Sequence, residues 1–307
     1  MKRRYVAIII LLLFVGTCIF PAVAMISEKP LLLTRERWLY VGGSGPGNYT
    51  IIQDAIDNAS DGDTVYVYSG LYESNVNIQK SINLRGENRT DTIIDVQWQI
   101  NAVALVKGNI NISGFTIRHA SFSGLFVVEG THNISDNIIT QNEAGIIMWG
   151  GTDCVIYGNT IQWNNRSGIE NQYSKNTRYT QNILMNNPIG FYNEGPYLQT
   201  CERNSFQGNT EGFEYQLNSQ NKMLSNNFLQ NKNDTNIINP GFNLFFQFSD
   251  FLGFLLWSHV TKWDNNYWDK WQKTTPKPIG GFFIVYIEFF NLTESCYLDT
   301  TRNIPCH

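Results

Sequence analysis

Three periodic ladders in the sequence predict an all-β fold, a right-handed parallel β-helix with a period of about 22 residues. One asparagine recurs at Asn137, Asn159, Asn182, Asn204 and Asn226, at intervals of 22, 23, 22 and 22. A second recurs at Asn142, Asn164, Asn187, Asn209 and Asn231, with the same intervals. A glycine keeps pace with both at Gly124, Gly145, Gly168, Gly190 and Gly212. The period is too short for a helical hairpin, and no heptad runs through it.

Each unit is built from short strands. After the glycine, Leu125 and Val127, Ile146 and Met148, Ile169 and Asn171, Phe191 and Asn193, and Phe213 and Tyr215 occupy two alternating inward slots. Phe126, Ile147, Glu170, Tyr192 and Glu214 fall between them and face outward, as the two-residue period of a strand requires. Stacked turns place equivalent side chains ~4.8 Å apart, so a column of Asn amides can satisfy its own donors and acceptors along the axis. Asparagine also tolerates the left-handed backbone that tight turns need. Roughly eight such turns fit residues 41–241.

The ends of a stack are open edges that something must cover. Ahead of the first turns, "YTIIQDAIDNAS" carries a helical stripe of Ile51, Ile52, Ala55, Ile56 and Ala59, which predicts an amino-terminal cap. Strands Val65–Tyr68, Val76–Ile78 and Ile82–Leu84 follow it. Residues 242–307 read as an aromatic-rich carboxyl-terminal cap. There the apolar segment 242–260, interrupted by Gln247 and Asp250, serves as a lid or a peripheral membrane contact. Trp263, Tyr267, Trp268 and Trp271 would seal the side. Cys296 and Cys306 are spaced to close a disulfide loop, whereas Cys154 and Cys201 lie two turns apart, beyond the ~7 Å reach of a bridge.

The amino terminus reads as a signal peptide over residues 1–24, with a retained membrane anchor as the alternative: Lys2, Arg3 and Arg4, an apolar run shorter than a full span, then Ala22-Val23-Ala24. Residues 25–40 read as a linker. Removing the three basic signal residues from the 22 leaves 19 against 26 acidic ones, a net of −7, which argues against nucleic acid as a partner. Eight Asn-x-Ser/Thr sites (Asn48, Asn58, Asn88, Asn111, Asn133, Asn165, Asn233, Asn291) would permit glycosylation of an exported chain.

The stretch "GDTVYVYSGLYESNVNIQKSINLRG", the Asn and Gly ladders and the terminal "WDNNYWDKW" together resemble the NosD-like, or CASH-type, β-helix repeat proteins, including secreted archaeal surface members. The resemblance spans about Tyr40 to Trp271. It implies the fold, and an extracytoplasmic place that is secreted or at the cell surface. NosD itself is associated with copper-site maturation. The histidines after the signal, His119, His132, His259 and His307, form no His-x-His, and no Cys-x-x-Cys or Met cluster accompanies them, so neither a metal site nor a cofactor is expected. Gly70, Tyr72 and Glu73 also resemble the opening of pectin methylesterases. That family's downstream aspartate motifs have no match here, and the chain lacks the Asp-Asp of polygalacturonase-type hydrolases.

One outward constellation carries chemistry. Stacking should gather Trp149 and Tyr192 with Glu170, Glu194 and Glu214 on one face, offering ring faces to sugars and carboxylates to hydroxyls. Glu170 and Glu214, two turns apart at ~9.6 Å, approach the ~6.5–9.5 Å separation of an inverting glycosidase pair. The reading is therefore an exported protein that binds a polysaccharide or cell-surface glycan, or forms part of the surface layer. The alternatives are a carbohydrate-active hydrolase or lyase using those glutamates as catalytic groups, and a NosD-like accessory protein for a copper enzyme.

Overall fold

The computed structural model describes residues 36–216, 221–238, 262–264, 266–268, 283–287 and 292–296. The signal segment, the apolar segment 242–260, Trp271 and Cys306, and with it the Cys296–Cys306 bridge, lie outside the described residues.

The chain winds through three parallel sheets of ten, nine and eight strands, visited in that order on each turn, for about nine turns. One turn shows the pattern. Asn133–Ser135 lies in the ten-stranded first sheet, Ile138–Thr140 in the nine-stranded second, and Ala144–Met148 in the eight-stranded third. Ile134, Ile139, Ile146 and Met148 point inward and are fully buried. Every residue pairs with its equivalent one period on: Ile134 with Ile156, Ile139 with Ile161, Ile146 with Ile169.

Parallel in-register stacking makes the core a set of columns, and these change character along the axis. Branched aliphatics give way to rings, with Phe191 on Phe213 at 5.2 Å and Phe206 on Phe228 at 4.8 Å, both pairs stacked nearly parallel. Rings repeating at the strand spacing fall into stacking distance.

Both asparagine ladders form. In the first, Asn159 Oδ1 accepts from the backbone N–H and Nδ2 of Asn137 (3.0 and 3.1 Å), while Asn159 Nδ2 donates to the carbonyl of Ile134 at 2.8 Å. The second repeats this between Asn142 and Asn164. Each amide thus satisfies main-chain groups that the corner would otherwise bury unpaired. The left-handed residue, however, is not the ladder asparagine but the one before it: Asp136, Gln181, Arg203 and Ser225 in one corner, Gln141, Trp163, Asn186 and Gln230 in the other. The asparagine is there for its amide, and its neighbour absorbs the backbone bend.

Two further polar columns escaped the sequence reading. Asn171 Nδ2 donates to Asn193 Oδ1 within the third sheet (2.6 Å), and Asn193 Nδ2 to Asn221 Oδ1 of the first (2.8 Å), so inward slots hold a buried amide chain. At the third corner the capping role passes to a mixed set. Ile110 N–H donates to His132 Nδ1, His132 N–H to Cys154 Sγ, and Thr177 N–H to Gln199 Oε1. The glycine column has its own cause. A Cβ on Gly168 would sit 2.5 Å from the carbonyl oxygen of Gly190 and 3.1 Å from Asn187 Nδ2.

The helix Ile52–Asn58 covers the amino-terminal end, burying Ile52, Ala55 and Ile56. Lys80 Nζ donates to the carbonyls of Ile56, Asp57 and Ala59 at 2.7–3.1 Å, which places a cation where the helix leaves its carbonyls open. At the other end the chain continues the stack. Lys262–Asp264 and Tyr267–Trp268 add a further strand to the first and second sheets, pairing with Asn221–Leu224 and Asn227–Leu229. The first sheet starts with Trp38–Val41, three residues of which fall in the stretch read as a linker.

Candidate functional site

The third-sheet face assembles partly as the sequence predicts. Ile147, Glu170, Tyr192 and Glu214 are consecutive partners in one outward column. Burial raises the Tyr192 phenol, and the charges of Glu194, Glu214 and Glu170 raise it further. Its oxygen accepts from Gln216 Nε2 at 3.1 Å.

Two features differ from expectation. Ile147 is fully buried and Glu170 and Glu214 are nearly so, which makes this a covered face rather than an open one. Glu170 Oε1 accepts from Ser167 Oγ at 2.5 Å and lies 3.0 Å from Arg166 Nε, while the Arg166 guanidinium stands over the Phe122 ring. A carboxylate so engaged orients an arginine and is poorly placed to exchange a proton with substrate. Tyr192 stands in the column between Glu170 and Glu214, where an inverting pair would need room for sugar and water. Trp149, 49% exposed, packs edge-on against Tyr173 at 5.5 Å rather than with Tyr192.

A more open site, missed by sequence reading, lies on the first sheet near the amino-terminal end. Tyr40, Tyr66, Arg85, Ser113, Ser135 and Tyr157 form one outward column. Trp38, Tyr40, Tyr66 and Tyr68 make a continuous cluster with ring centroids 5.2–6.4 Å apart. Trp38 and Tyr40 remain 42% and 39% exposed.

This platform runs into a groove of about 530 Å³ lined by Arg85, Glu87, Asn88, Arg89, Ser135 and Asp136 among others. A hollow of about 250 Å³ beneath Trp38 shares Arg85 and Ser113 with it. The groove floor is low because Gly86 and Gly114 cross there. Gly114 has φ +84°, and a side chain on Gly86 would run into its carbonyl oxygen. Arg89 reaches over this floor to Asp136, 3.0 Å away and 47 positions later. Among the described residues Arg85 makes no ion pair, and Asn83 donates its amide to Thr64 Oγ1 while accepting from Asn111. Flat rings, a free guanidinium and an array of amides and hydroxyls suit a polyhydroxylated ligand. The sequence signal was the alternation of Trp38 with Tyr40 and Tyr66 with Tyr68, two pairs whose adjacency depends on the pairing of their strands.

Among the described residues no group of three or more His, Cys, Asp or Glu could hold a metal ion. His132 is buried and neutral-favouring: burial lowers its pKa, and the carbonyl of Glu129 beside Nε2 only partly offsets this. Cys154 and Cys201 are free and buried, and burial raises both thiols.

A family model described as right handed beta helix region matches residues 101–251. The described residues of this chain fold as a right-handed parallel β-helix. No curated protein matches its sequence. Among solved structures this β-helix is similar to pectin methylesterase from carrot (11% identity, 67% of this chain and 84% of that one, TM-score 0.40). It is similar also to pectin methylesterase PemA from Erwinia chrysanthemi (10%, 74% and 99%, TM-score 0.41). The A-module of mannuronan C-5 epimerase AlgE4 from Azotobacter vinelandii is a third (15%, 71% and 83%, TM-score 0.40). Likenesses at this level say nothing of the chemistry of this β-helix.

Proposed function

We propose that this β-helix is an exported protein, secreted or at the cell surface, that binds polysaccharide along its first sheet. The observation that carries the reading is the Trp38–Tyr40–Tyr66–Tyr68 platform, exposed at Trp38 and Tyr40 and half-buried at Tyr66 and Tyr68, which leads into a groove lined by polar groups. Ring faces bury the apolar side of a sugar, and the groove supplies donors and acceptors for its hydroxyls. The signal-like residues 1–24 and the NosD-like wording support the export half. Binding is favoured over catalysis because the one candidate acid pair, Glu170 and Glu214, is covered and separated by Tyr192.

Affinity electrophoresis in gels containing soluble polysaccharides tests it. Retardation of the wild type by at least one polymer, weakened several-fold in Trp38→Ala and Tyr66→Ala, is the expected result. No retardation across a broad panel, or equal retardation of all three proteins, would reject this site.

A further inference from the structure

The corner between the second and third sheets carries a column that the first-sheet site does not use. Trp98 N–H donates to the His119 carbonyl (2.5 Å), His119 N–H to that of Gln141 (3.2 Å), and Gln141 N–H to that of Trp163 (3.2 Å), so the four succeed one another along the axis. All four are left-handed, with φ of 70°, 59°, 57° and 55°. Further along, the same corner is filled by Asn186 and Gly208, residues that tolerate this backbone at little cost. A bulky ring is the costly choice there, and an exposed one leaves its apolar surface in water. Yet Trp98 and Trp163 are 57% and 58% exposed. The fold would be served better by Asn or Gly at both positions.

The residue next to Trp98 is held in place. His119 Nδ1 lies 2.9 Å from Asp95 Oδ1, and Asp95 in turn receives Arg118 Nε at 2.8 Å and the Gln97 N–H at 3.3 Å. In the neutral ring that contact puts the proton on Nδ1 and leaves Nε2 as an acceptor. The Trp98 ring sits 5.5 Å from the imidazole. The charges of Arg118 and Asp95 are spent on each other, so the column itself offers rings, an imidazole and an amide.

We infer that this corner is a second binding site, for a neutral polysaccharide chain laid along the solenoid axis. Trp98 and Trp163 are its two stacking platforms, ~14 Å apart over three strand spacings. His119 Nε2 and the Gln141 amide, between them, meet the hydroxyls of the intervening sugars. The site stands on observations separate from those of the first sheet, and either can fail alone.

The test titrates the full chain with xylohexaose and with a linear β-glucan, followed by tryptophan fluorescence. Trp98→Asn and Trp163→Asn are chosen because asparagine suits the left-handed backbone, so folding is kept and the melting temperature stays level or rises. The expected result is a fluorescence change in wild type and in Tyr66→Ala, with affinity at least ten-fold weaker in the double asparagine variant. Equal affinity in wild type and double variant would overturn the inference. It would be overturned equally if neither glycan shifted the fluorescence and the double variant instead lost a self-association seen by sedimentation, which would make the corner a contact between copies.

Discussion

Asn266 Oδ1 accepts both the backbone N–H and the Nδ2 of Asn226, at 2.9 and 3.0 Å, across 40 residues of sequence. The first ladder therefore continues one turn past its last regular member, and Asn266 Nδ2 in turn reaches the Met223 carbonyl at 2.8 Å. Asn266→Leu should lower the unfolding free energy by about 1–3 kcal/mol, since it strands two donors of Asn226 and one carbonyl. A urea midpoint unchanged from wild type would detach the "NNYW" segment from the stack.

The interior of the ladder should be at least as sensitive. Asn182 donates to Asn204 Oδ1 and to the Ile156 carbonyl and accepts from Asn159, so Asn182→Leu leaves buried groups on three turns unpaired. The expected loss is again about 1–3 kcal/mol. Asn186, at the left-handed position four residues on, is the control: Asn186→Gly should change stability little. Equal melting temperatures for the two variants would contradict the division of labour between amide and bend.

Acid should act in two stages. His132 has a lowered pKa in the fold, so the unfolded chain takes up a proton first once pH drops below about 6.5. Its contribution is complete above that value and declines as pH falls towards the folded pKa. Asp63 and Asp95 are raised by burial but held lower overall. The N–H groups of Ser60 and Arg37 do this for Asp63, and His119 and Arg118 for Asp95. Their stabilisation is present above about pH 4 and is lost as pH falls through the depressed values. Urea midpoints recorded from neutral to acid pH should show the first decline in wild type and not in His132→Gln. Parallel curves for the two proteins would remove His132 from the account.

The third-sheet face yields a prediction by contrast. Trp149→Ala should leave polysaccharide retardation within about two-fold of wild type, because the Trp149–Tyr173 pair lies away from the first-sheet platform. Glu170→Gln should lower stability by freeing Arg166, without abolishing a hydrolytic activity. Reducing-sugar release that disappears in Glu170→Gln would restore the enzyme reading.

What could be read from sequence follows from which contacts have a fixed spacing. The ladders were legible because a corner amide must be asparagine and must recur each turn, and the column Glu170–Tyr192–Glu214 follows from the same register. Burial of that column was not legible, because alternation tells which way a residue points and says nothing of what covers it. The Trp38–Tyr66 platform was hidden because the first turns carry no ladder asparagine to set their register. Asn266 was hidden because 40 residues, instead of 22 or 23, separate it from its partner.

Each ladder amide touches only the turns immediately before and after its own, and the two asparagine corners present the same interface from one turn to the next. Length is therefore a quantised and editable property of this molecule. Excising residues 160–182 would bring Asn159 into the place of Asn182, with its amide facing Asn204 and both sides of the cut already matched. A lineage carrying such a chain can gain or lose reach one turn at a time by duplication or deletion, moving the two ends apart or together without redesigning either.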